Sequence, residues 1–218
     1  MSEWLTWQVV DSAFPTGAFA HSYGLESAWQ HGEIRGADDL RRFLRATLQQ
    51  ATAGAVPLVN AAYRRPESLA ALDARADAFL LNGVANRASR IQGRTLLATV
   101  ARVWPSPVLA DLSHQVSGTC AHVSPITGAA FRALGLPLAT VQQTVLFGTA
   151  RLVLAAAVRL GIAGSYEAQQ LQSDCAPWLD ELLQRGCDLD VDDLAQLAPI
   201  PDLLQARHDL LYSRLFQS

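Results

Sequence analysis

The sequence has few of the features that mark disulfide-stabilised or nucleic-acid-binding proteins. It contains three cysteines, Cys120, Cys175 and Cys187, and no CxxC spacing. An odd count without that spacing argues against a disulfide framework and suits a reducing cytoplasm. Only 17% of residues are charged, and the net charge is −3. Bulk charge therefore gives no support to binding of nucleic acid or of an anionic membrane.

The chain also lacks the marks of export or membrane insertion. Glu3 stands where a signal peptide would carry positive charge. The most apolar run, 145–164, is interrupted by Arg151 and Arg159, whereas a membrane-spanning helix needs about 20 nearly uncharged residues. We therefore expect a cytoplasmic protein in which this run is a buried helix.

Catalytic and metal-binding motifs are missing as well. The sequence has no GxSxG elbow, no glycine-rich phosphate loop and no paired carboxylates within an apolar helix. The one local His/Cys cluster, His114, Cys120 and His122, matches no zinc template. Ser22 has His21 beside it, but adjacent side chains on a helix diverge. We expect no catalytic residue, no bound metal and no cofactor, and thus a protein that is not an enzyme.

What the sequence does contain is helical periodicity. Half of the residues are hydrophobic, enough for a substantial core and for an oligomer interface. Alternating β-branched runs are almost absent. We predict an all-α, single-domain bundle of roughly ten helices spanning 1–218. The predicted helices are 3–12, 21–31, a helix capped by Asp38 or Asp39 and running to 52, 57–63, 68–81, 84–103, 108–118, 126–134, 138–160, 166–185 with a kink at Pro177, and a terminal helix or tail over 202–216.

The stretch 11–32 differs most from this helical background. It holds three glycines, a proline, two histidines and four aromatic residues, and no partner acid, base or metal ligand converges on it in the sequence. We interpret it as a rigid docking surface rather than a catalytic loop. Phe19 and Tyr23 are the candidate anchors, while Gly17 and Gly24 shape the backbone.

Two further features each allow two interpretations. Arg87, Arg90 and Arg94 share one helical face. They form either a solvated surface or a site for the carboxylates of a protein partner. The segment 207–218 carries Leu211, Leu215 and Phe216 near the last residue. It is either a helix packed on its own domain or a tail that folds into a partner's groove.

Three segments resemble motifs of the urease accessory protein UreF family, and the resemblance spans the chain. Residues 14–26, FPTGAFAHSYGLE, are similar to the family signature FPxGxxxHSxGLE. Residues 86–93 resemble its arginine–glycine helix, and 212–218, YSRLFQS, resemble its YSRLFxS ending. The small residues of 128–135 also fit. Two departures are Asp209, where Glu is more usual, and a charge-poor segment at 142–148.

The resemblance implies a non-catalytic, dimerising helical protein. Such a protein binds the accessory protein UreD/UreH and recruits the GTPase UreG, and the assembly delivers nickel to the urease apoprotein. Phe19 then matches the position for GTPase docking, beside His21, Tyr23 and Glu26. The tail, 203–218, is ordered by UreD/UreH. The complete set of expected partner-binding residues is Phe19, His21, Tyr23, Glu26, Arg87, Arg90, Arg94, His208, Tyr212, Arg214, Leu215 and Phe216.

Two alternatives remain open at this point. The first is a small all-α enzyme or apolar-ligand carrier, with a pocket among Ala-rich helices and His114 and His122 at its mouth. The second is that the protein itself binds nickel through His21 or His208.

Overall fold

The computed structural model describes residues 3–218; residues 1 and 2 of the predicted domain lie outside the described range. Within 3–218 every regular element is helical, so the predicted all-α class is confirmed. The α-helices are α1 Glu3–Val10, α2 Leu25–Gln30, α3 Ala37–Gln50, α4 Val56–Arg64, α5 Leu69–Phe79, α6 Gly83–Val103, α7 Pro107–Gln115, α8 Val123–Ala133, α9 Leu138–Arg159, α10 Ser165–Asp174, α11 Ala176–Gly186 and α12 Pro199–Ala206. Short 3₁₀ turns cover Ala18–Ala20, Pro66–Ser68, Val191–Asp193 and Arg207–Leu210.

Some predicted helix boundaries are wrong, each for a local reason. The helix predicted over 21–31 begins only at Leu25, because Tyr23 and Gly24 have positive φ angles of 55° and 83°. The helix predicted over 166–185 is two helices that meet at Cys175, and Pro177 occupies the first turn of the second one. Neither Asp38 nor Asp39 caps α3, whose N-cap is Gly36.

Helices α3 and α4 are joined without a break by a π-helical turn, Ala51–Ala55. Pro57 comes directly afterwards, in the first turn of α4. Proline has no N–H to donate and its ring crowds the carbonyl four residues earlier. A wider π turn in front of it accommodates both effects, so the chain continues as one long helix.

Two hydrophobic clusters fill the interior. The first is formed by α1, α4 to α8 and the start of α9, and the second by α2, α3 and α9 to α11. Val145 on α9 packs against both clusters. By length and composition α9 could cross a membrane, with a mean hydropathy of 1.4, but half of that window is buried inside the fold. The central helix of a helical bundle is also long, apolar and largely buried. Helix α9 has this position, because it contributes to both hydrophobic clusters.

The last helix, α12, packs against α2 and α6. Asn82, the N-cap of α6, fixes this position. Its side-chain oxygen accepts hydrogen bonds from Val84 N and Ala85 N, while its amide donates to the Asp202 carbonyl at 2.8 Å. The segment after α12 is thereby directed back over α2.

Candidate functional site at the chain's last residues

The last residues of the chain fold back onto the stretch 14–26. Gln217 N donates to the Ala20 carbonyl at 2.8 Å. Ser22 donates to the main-chain oxygen of Ser218 twice, from its backbone N at 2.6 Å and from its Oγ at 2.9 Å. The first and last motifs of the sequence, about 195 positions apart, therefore form one site.

A buried carboxylate, Glu26, holds this site together. Its side chain accepts hydrogen bonds from the backbone N–H groups of Leu215 at 2.6 Å and Phe216 at 3.0 Å. His208 Nε2 lies 3.0 Å from the same carboxylate, and both side chains are buried. A buried charge is costly unless it is paired and hydrogen-bonded. We call Glu26, His208, Leu215 and Phe216 the Glu26 cluster.

His21 lies beside this cluster. Its Nδ1 is 2.7 Å from Ser218 Oγ, and its Nε2 is buried without a hydrogen-bond partner in residues 3–218. Burial, with a smaller contribution from His208, lowers the pKa of His21 to about 4. His21 is therefore a neutral imidazole at physiological pH.

Gly24 allows α12 to lie close to the start of α2. It has φ 83°, and a Cβ added there would be 2.8 Å from the Gln205 Cβ. Tyr23 turns its ring inward and packs against the second hydrophobic cluster. Burial raises the pKa of the Tyr23 hydroxyl, opposed by a hydrogen bond with Thr149. Tyr23 is thus half-buried in its own fold.

Arg159, from the end of α9, links the loop to the tail. Its guanidinium lies 4.1 Å from the ring centroid of Phe19 and 4.1 Å from that of Phe216. It also donates to the Phe19 carbonyl at 2.7 Å. Phe216 is buried, whereas Phe19 keeps 59% of its surface exposed. The cation between the two rings fixes the exposed Phe19 ring in place.

The predicted arginine face has a partner within the chain at one end. Arg87 Nη2 lies 2.5 Å from Asp209 Oδ2, and Arg214 is 3.5 Å from the other oxygen of that carboxylate. Arg90 and Arg94 form no ion pair with any residue in 3–218. Part of the face therefore fastens the tail, and the remainder is open.

The tail presents its other side chains outward. Tyr212 is fully exposed, Leu210 and Leu215 are more than half exposed, and Leu203 of α12 adds to them. Main-chain groups and Phe216 hold the segment from below. The site thus carries an apolar, aromatic outer surface on a polar, hydrogen-bonded base.

Comparison with known proteins places this architecture in a family. A UreF family profile matches residues 34–176, which is more than half of the chain. The chain belongs to the UreF family. Proteins named urease accessory protein F from Oryza sativa subsp. japonica and Arabidopsis thaliana are 35% and 34% identical to it. Each alignment covers 99% of this chain and 85% or 92% of the relative. A urease accessory protein UreF from Mesorhizobium japonicum is 31% identical over 94% of this chain and 92% of its own.

The family profile match and the site do not coincide. The stretch 14–26 and the tail lie outside 34–176, whereas the alignments with the plant UreF proteins extend over nearly the whole chain. The two site segments therefore belong to the resemblance of the full-length proteins rather than to the matched profile.

Sequence reasoning missed that polar groups converge here. We expected no acid or base to meet the stretch 14–26, yet Glu26, His21, Ser22, His208 and Ser218 come together. Ser22 Oγ donates to the main-chain oxygen of Ser218 and not to a histidine, so Ser22 has no base beside it; the hydroxyl next to His21 is that of Ser218. Glu26, the one acidic residue of α2, was the available signal, but its partners are more than 180 positions away.

A partly open cavity of about 310 Å³ lies next to the site. Its lining is mostly apolar and includes residues of α3, α6 and α9, with His21 and Arg151 among the polar groups. His114 is exposed, and His122 is buried elsewhere. A cavity of the kind expected for a ligand carrier therefore exists, but its predicted mouth at His114 and His122 is wrong.

Proposed function

We propose that this chain is a non-catalytic scaffold in urease maturation. It binds a UreD/UreH-type accessory protein and recruits a UreG-type GTPase for nickel insertion into the urease apoprotein, acting in the cytoplasm as a homodimer. Membership of the UreF family and the names of its relatives support the proposal. The observation that carries the partner-binding part is the exposed aromatic and aliphatic surface of the tail, held beside Phe19 by the Glu26 cluster.

The tail surface is proposed as the UreD/UreH contact. Exposed Tyr212 and Leu215 are side chains of the type that dominates interface energies. Among the expected partner-binding residues, the buried Glu26, His208 and Phe216 support this surface from beneath. The resemblance predicts that UreD/UreH orders the tail. In this fold, that means that the partner stabilises the folded-back tail against local opening.

Substitution of exposed side chains tests this contact better than truncation. Deleting 212–218 would also remove Phe216 from the core and Ser218 from Ser22, so it mixes binding with stability. Tyr212→Ala with Leu215→Ala leaves those contacts in place. We expect the double variant to lose at least tenfold in affinity for the UreD/UreH partner, measured by co-purification and isothermal titration.

The matched control is Tyr166→Ala, since Tyr166 is an equally exposed tyrosine at the start of α10. This variant should bind the partner as the parent chain does. Full binding by the double variant, or an equal loss in the control, would exclude the tail surface as the contact.

Phe19 is proposed as the anchor for the GTPase. Its ring is largely exposed and is held by Arg159 rather than by the core. Phe19→Ala should therefore weaken GTPase capture about tenfold or more while the thermal transition of the isolated protein stays within about 2 °C. A loss of stability with unchanged GTPase capture would show that Phe19 has a structural role instead.

The open part of the arginine face is proposed as a second partner contact. Arg90 and Arg94 are not paired within 3–218, and their guanidinium groups suit carboxylates of a partner. Arg94→Ala should reduce the association rate, most strongly at low salt.

Sedimentation equilibrium tests the homodimer, and equilibrium dialysis with His21→Asn and His208→Asn tests the remaining possibility of nickel binding.

The cavity supports a second candidate function, an apolar-ligand carrier. Its volume is at the small end of the range for ligand pockets. Native mass spectrometry of the protein purified from its host distinguishes the two. A stoichiometric small molecule that is lost when Gly148, in the cavity lining, is replaced by Leu would favour the carrier.

A further inference from the structure

A mixed cluster of potential metal ligands lies outside the site described above. Asp77 of α5, Cys120 and His122 each offer one donor atom, and these atoms all lie within 4.8 Å of one another. His122 Nε2 is 3.1 Å from Asp77 Oδ1. The sequence offered only His114 as a third member, and His114 is exposed. Asp77, 43 positions before Cys120, takes its place.

The chain fixes the loop that carries two of these donors. Asp73, one helical turn before Asp77, accepts hydrogen bonds from Ala121 N at 2.9 Å and His122 N at 2.5 Å. Ala121 adopts a positive φ of 59° between Cys120 and His122. The loop lies so close to α6 that a Cβ on Gly93 would be 2.0 Å from the Ala121 carbonyl oxygen. Cys120 and His122 are therefore held side by side before any ion binds.

The second nitrogen of His122 has the partner that a metal-bound imidazole requires. Nδ1 lies 3.0 Å from Ser89 Oγ, which also accepts a hydrogen bond from Val123 N. A serine hydroxyl can donate to this nitrogen or accept from it. It can therefore accept from Nδ1–H when the lone pair of Nε2 is directed at a cation. Histidine ligands of metal ions regularly have such an oxygen behind them.

The distances suit a small tetrahedral cation. Bonds of about 2.0 Å to nitrogen and oxygen and 2.3 Å to sulfur place neighbouring ligand atoms roughly 3.3–3.6 Å apart. The His122–Asp77 separation is already close to this, and Cys120 is partly exposed. A thiolate, an imidazole and a carboxylate together suit Zn²⁺, Co²⁺ or Ni²⁺, whereas Mg²⁺ and Ca²⁺ prefer sites made of oxygen ligands alone.

We propose that Asp77, Cys120 and His122 form a three-ligand site for a divalent transition cation of the Zn²⁺ class, with a fourth position open to solvent. The charges balance, because the thiolate and the carboxylate neutralise the ion when the thiol proton is released to solvent. The partly exposed Cys120 and Asp77 side chains leave the ion a path from solution. The proposal does not depend on a role in urease maturation.

Titration with Zn²⁺ and with Co²⁺ tests the site in the reduced full-length chain. We expect one ion per chain and, with Co²⁺, a thiolate-to-cobalt charge-transfer band in the near ultraviolet. Cys120→Ser should abolish the band and weaken Zn²⁺ binding at least tenfold in competition with a chromophoric chelator. Cys187→Ser is the matched control, since Cys187 is also half-exposed but lies outside the cluster.

A second measurement avoids reliance on any variant that fails to fold. Zn²⁺ should slow alkylation of Cys120 in the unmodified protein while Cys187 reacts at its usual rate. Asp77→Asn should reduce that protection. Absence of stoichiometric binding, a band retained by Cys120→Ser, or equal reactivity of Cys120 with and without Zn²⁺ would each overturn the proposal.

Discussion

Two buried carboxylates, Glu26 and Asp73, form the same kind of hydrogen bonds but hold segments that differ in their surroundings. Glu26 accepts the consecutive backbone N–H groups of Leu215 and Phe216, and Asp73 accepts those of Ala121 and His122. In each case a helical carboxylate immobilises a distant non-helical segment whose amides would otherwise be buried without acceptors. Each segment also contributes a histidine. His208 of the tail lies beside Glu26, and His122 of the loop lies beside Asp77, one helical turn after Asp73.

The two segments differ in how the chain continues beyond them. The one held by Asp73 continues directly into α8, whose N-cap is His122, and α8 packs against α4 and α6 in the first core cluster. Beyond Phe216, the one held by Glu26 makes four further hydrogen bonds to the stretch 20–22 and enters no helix within the described residues. We therefore expect the same kind of contact to stabilise the core in one place and to hold a tail that can open locally in the other.

The largest effect is expected at Asp73. Asp73→Ala leaves two adjacent backbone N–H groups buried without acceptors, so the free energy of unfolding should fall by about 3 kcal/mol. Urea denaturation followed by circular dichroism measures this. Asp111→Ala, at an exposed carboxylate bonded only to Gln115, should change stability by no more than about 0.5 kcal/mol. A loss under about 1 kcal/mol at Asp73 would show that the loop does not stabilise the core.

Glu26→Gln is expected to act locally. The amide keeps one acceptor but loses the charge, so the tail should open more often while the core stays closed. Hydrogen exchange at the Leu215 and Phe216 amides should accelerate about 30-fold, which corresponds to roughly 2 kcal/mol. Amides of α8 should be unchanged, and Glu33→Gln at an exposed position is the control. Acceleration across α8 as well would mean that the tail and the core unfold together.

Patterns local to the sequence were enough for the helical class and for α9, whose predicted range of 138–160 agrees with Leu138–Arg159. They were also enough to single out both halves of the site, 14–26 and 207–218. They could not show that the halves meet, because Glu26 and its donors have no shared periodicity. The link between Asp77 and Cys120 was missed for the same reason, since only tertiary packing brings α5 to that loop.

A fall in pH should weaken closure of the tail held by Glu26 and should leave the loop held by Asp73 in place. His21 has a pKa of about 4 in the fold, against 6.5 when exposed. Between these values the opened form binds a proton that the closed form does not, so closure weakens as pH falls from 6.5 towards 4 and is unaffected by this group above 6.5. We expect a loss of between about 1 and 2 kcal/mol in tail closure by about pH 5, after allowance for solvent screening.

Intrinsic-rate-corrected hydrogen exchange of the tail between about pH 5 and pH 7.5 measures this loss. His21→Asn should flatten the dependence, whereas His31→Asn, at an exposed histidine, should leave it unchanged. An identical slope in His21→Asn would show that His21 does not cause the pH dependence of tail closure.

The smallest expected effect is the difference in stability between alanine at Gly24 and alanine at Gly32. It distinguishes the cost of the backbone conformation from the cost of the close contact between α2 and α12. Gly24 and Gly32 both have positive φ, 83° and 76°, but an added Cβ meets Gln205 at 2.8 Å only at Gly24. Alanine at either position therefore has the same conformational cost of about 1 kcal/mol, and Gly24→Ala should cost about 1 kcal/mol more, measured by urea denaturation. That excess should also appear as faster exchange in the tail, because α12 must move away from α2. Equal costs at the two glycines would mean that α12 yields readily and that Glu26, rather than the α2–α12 contact, holds the tail closed.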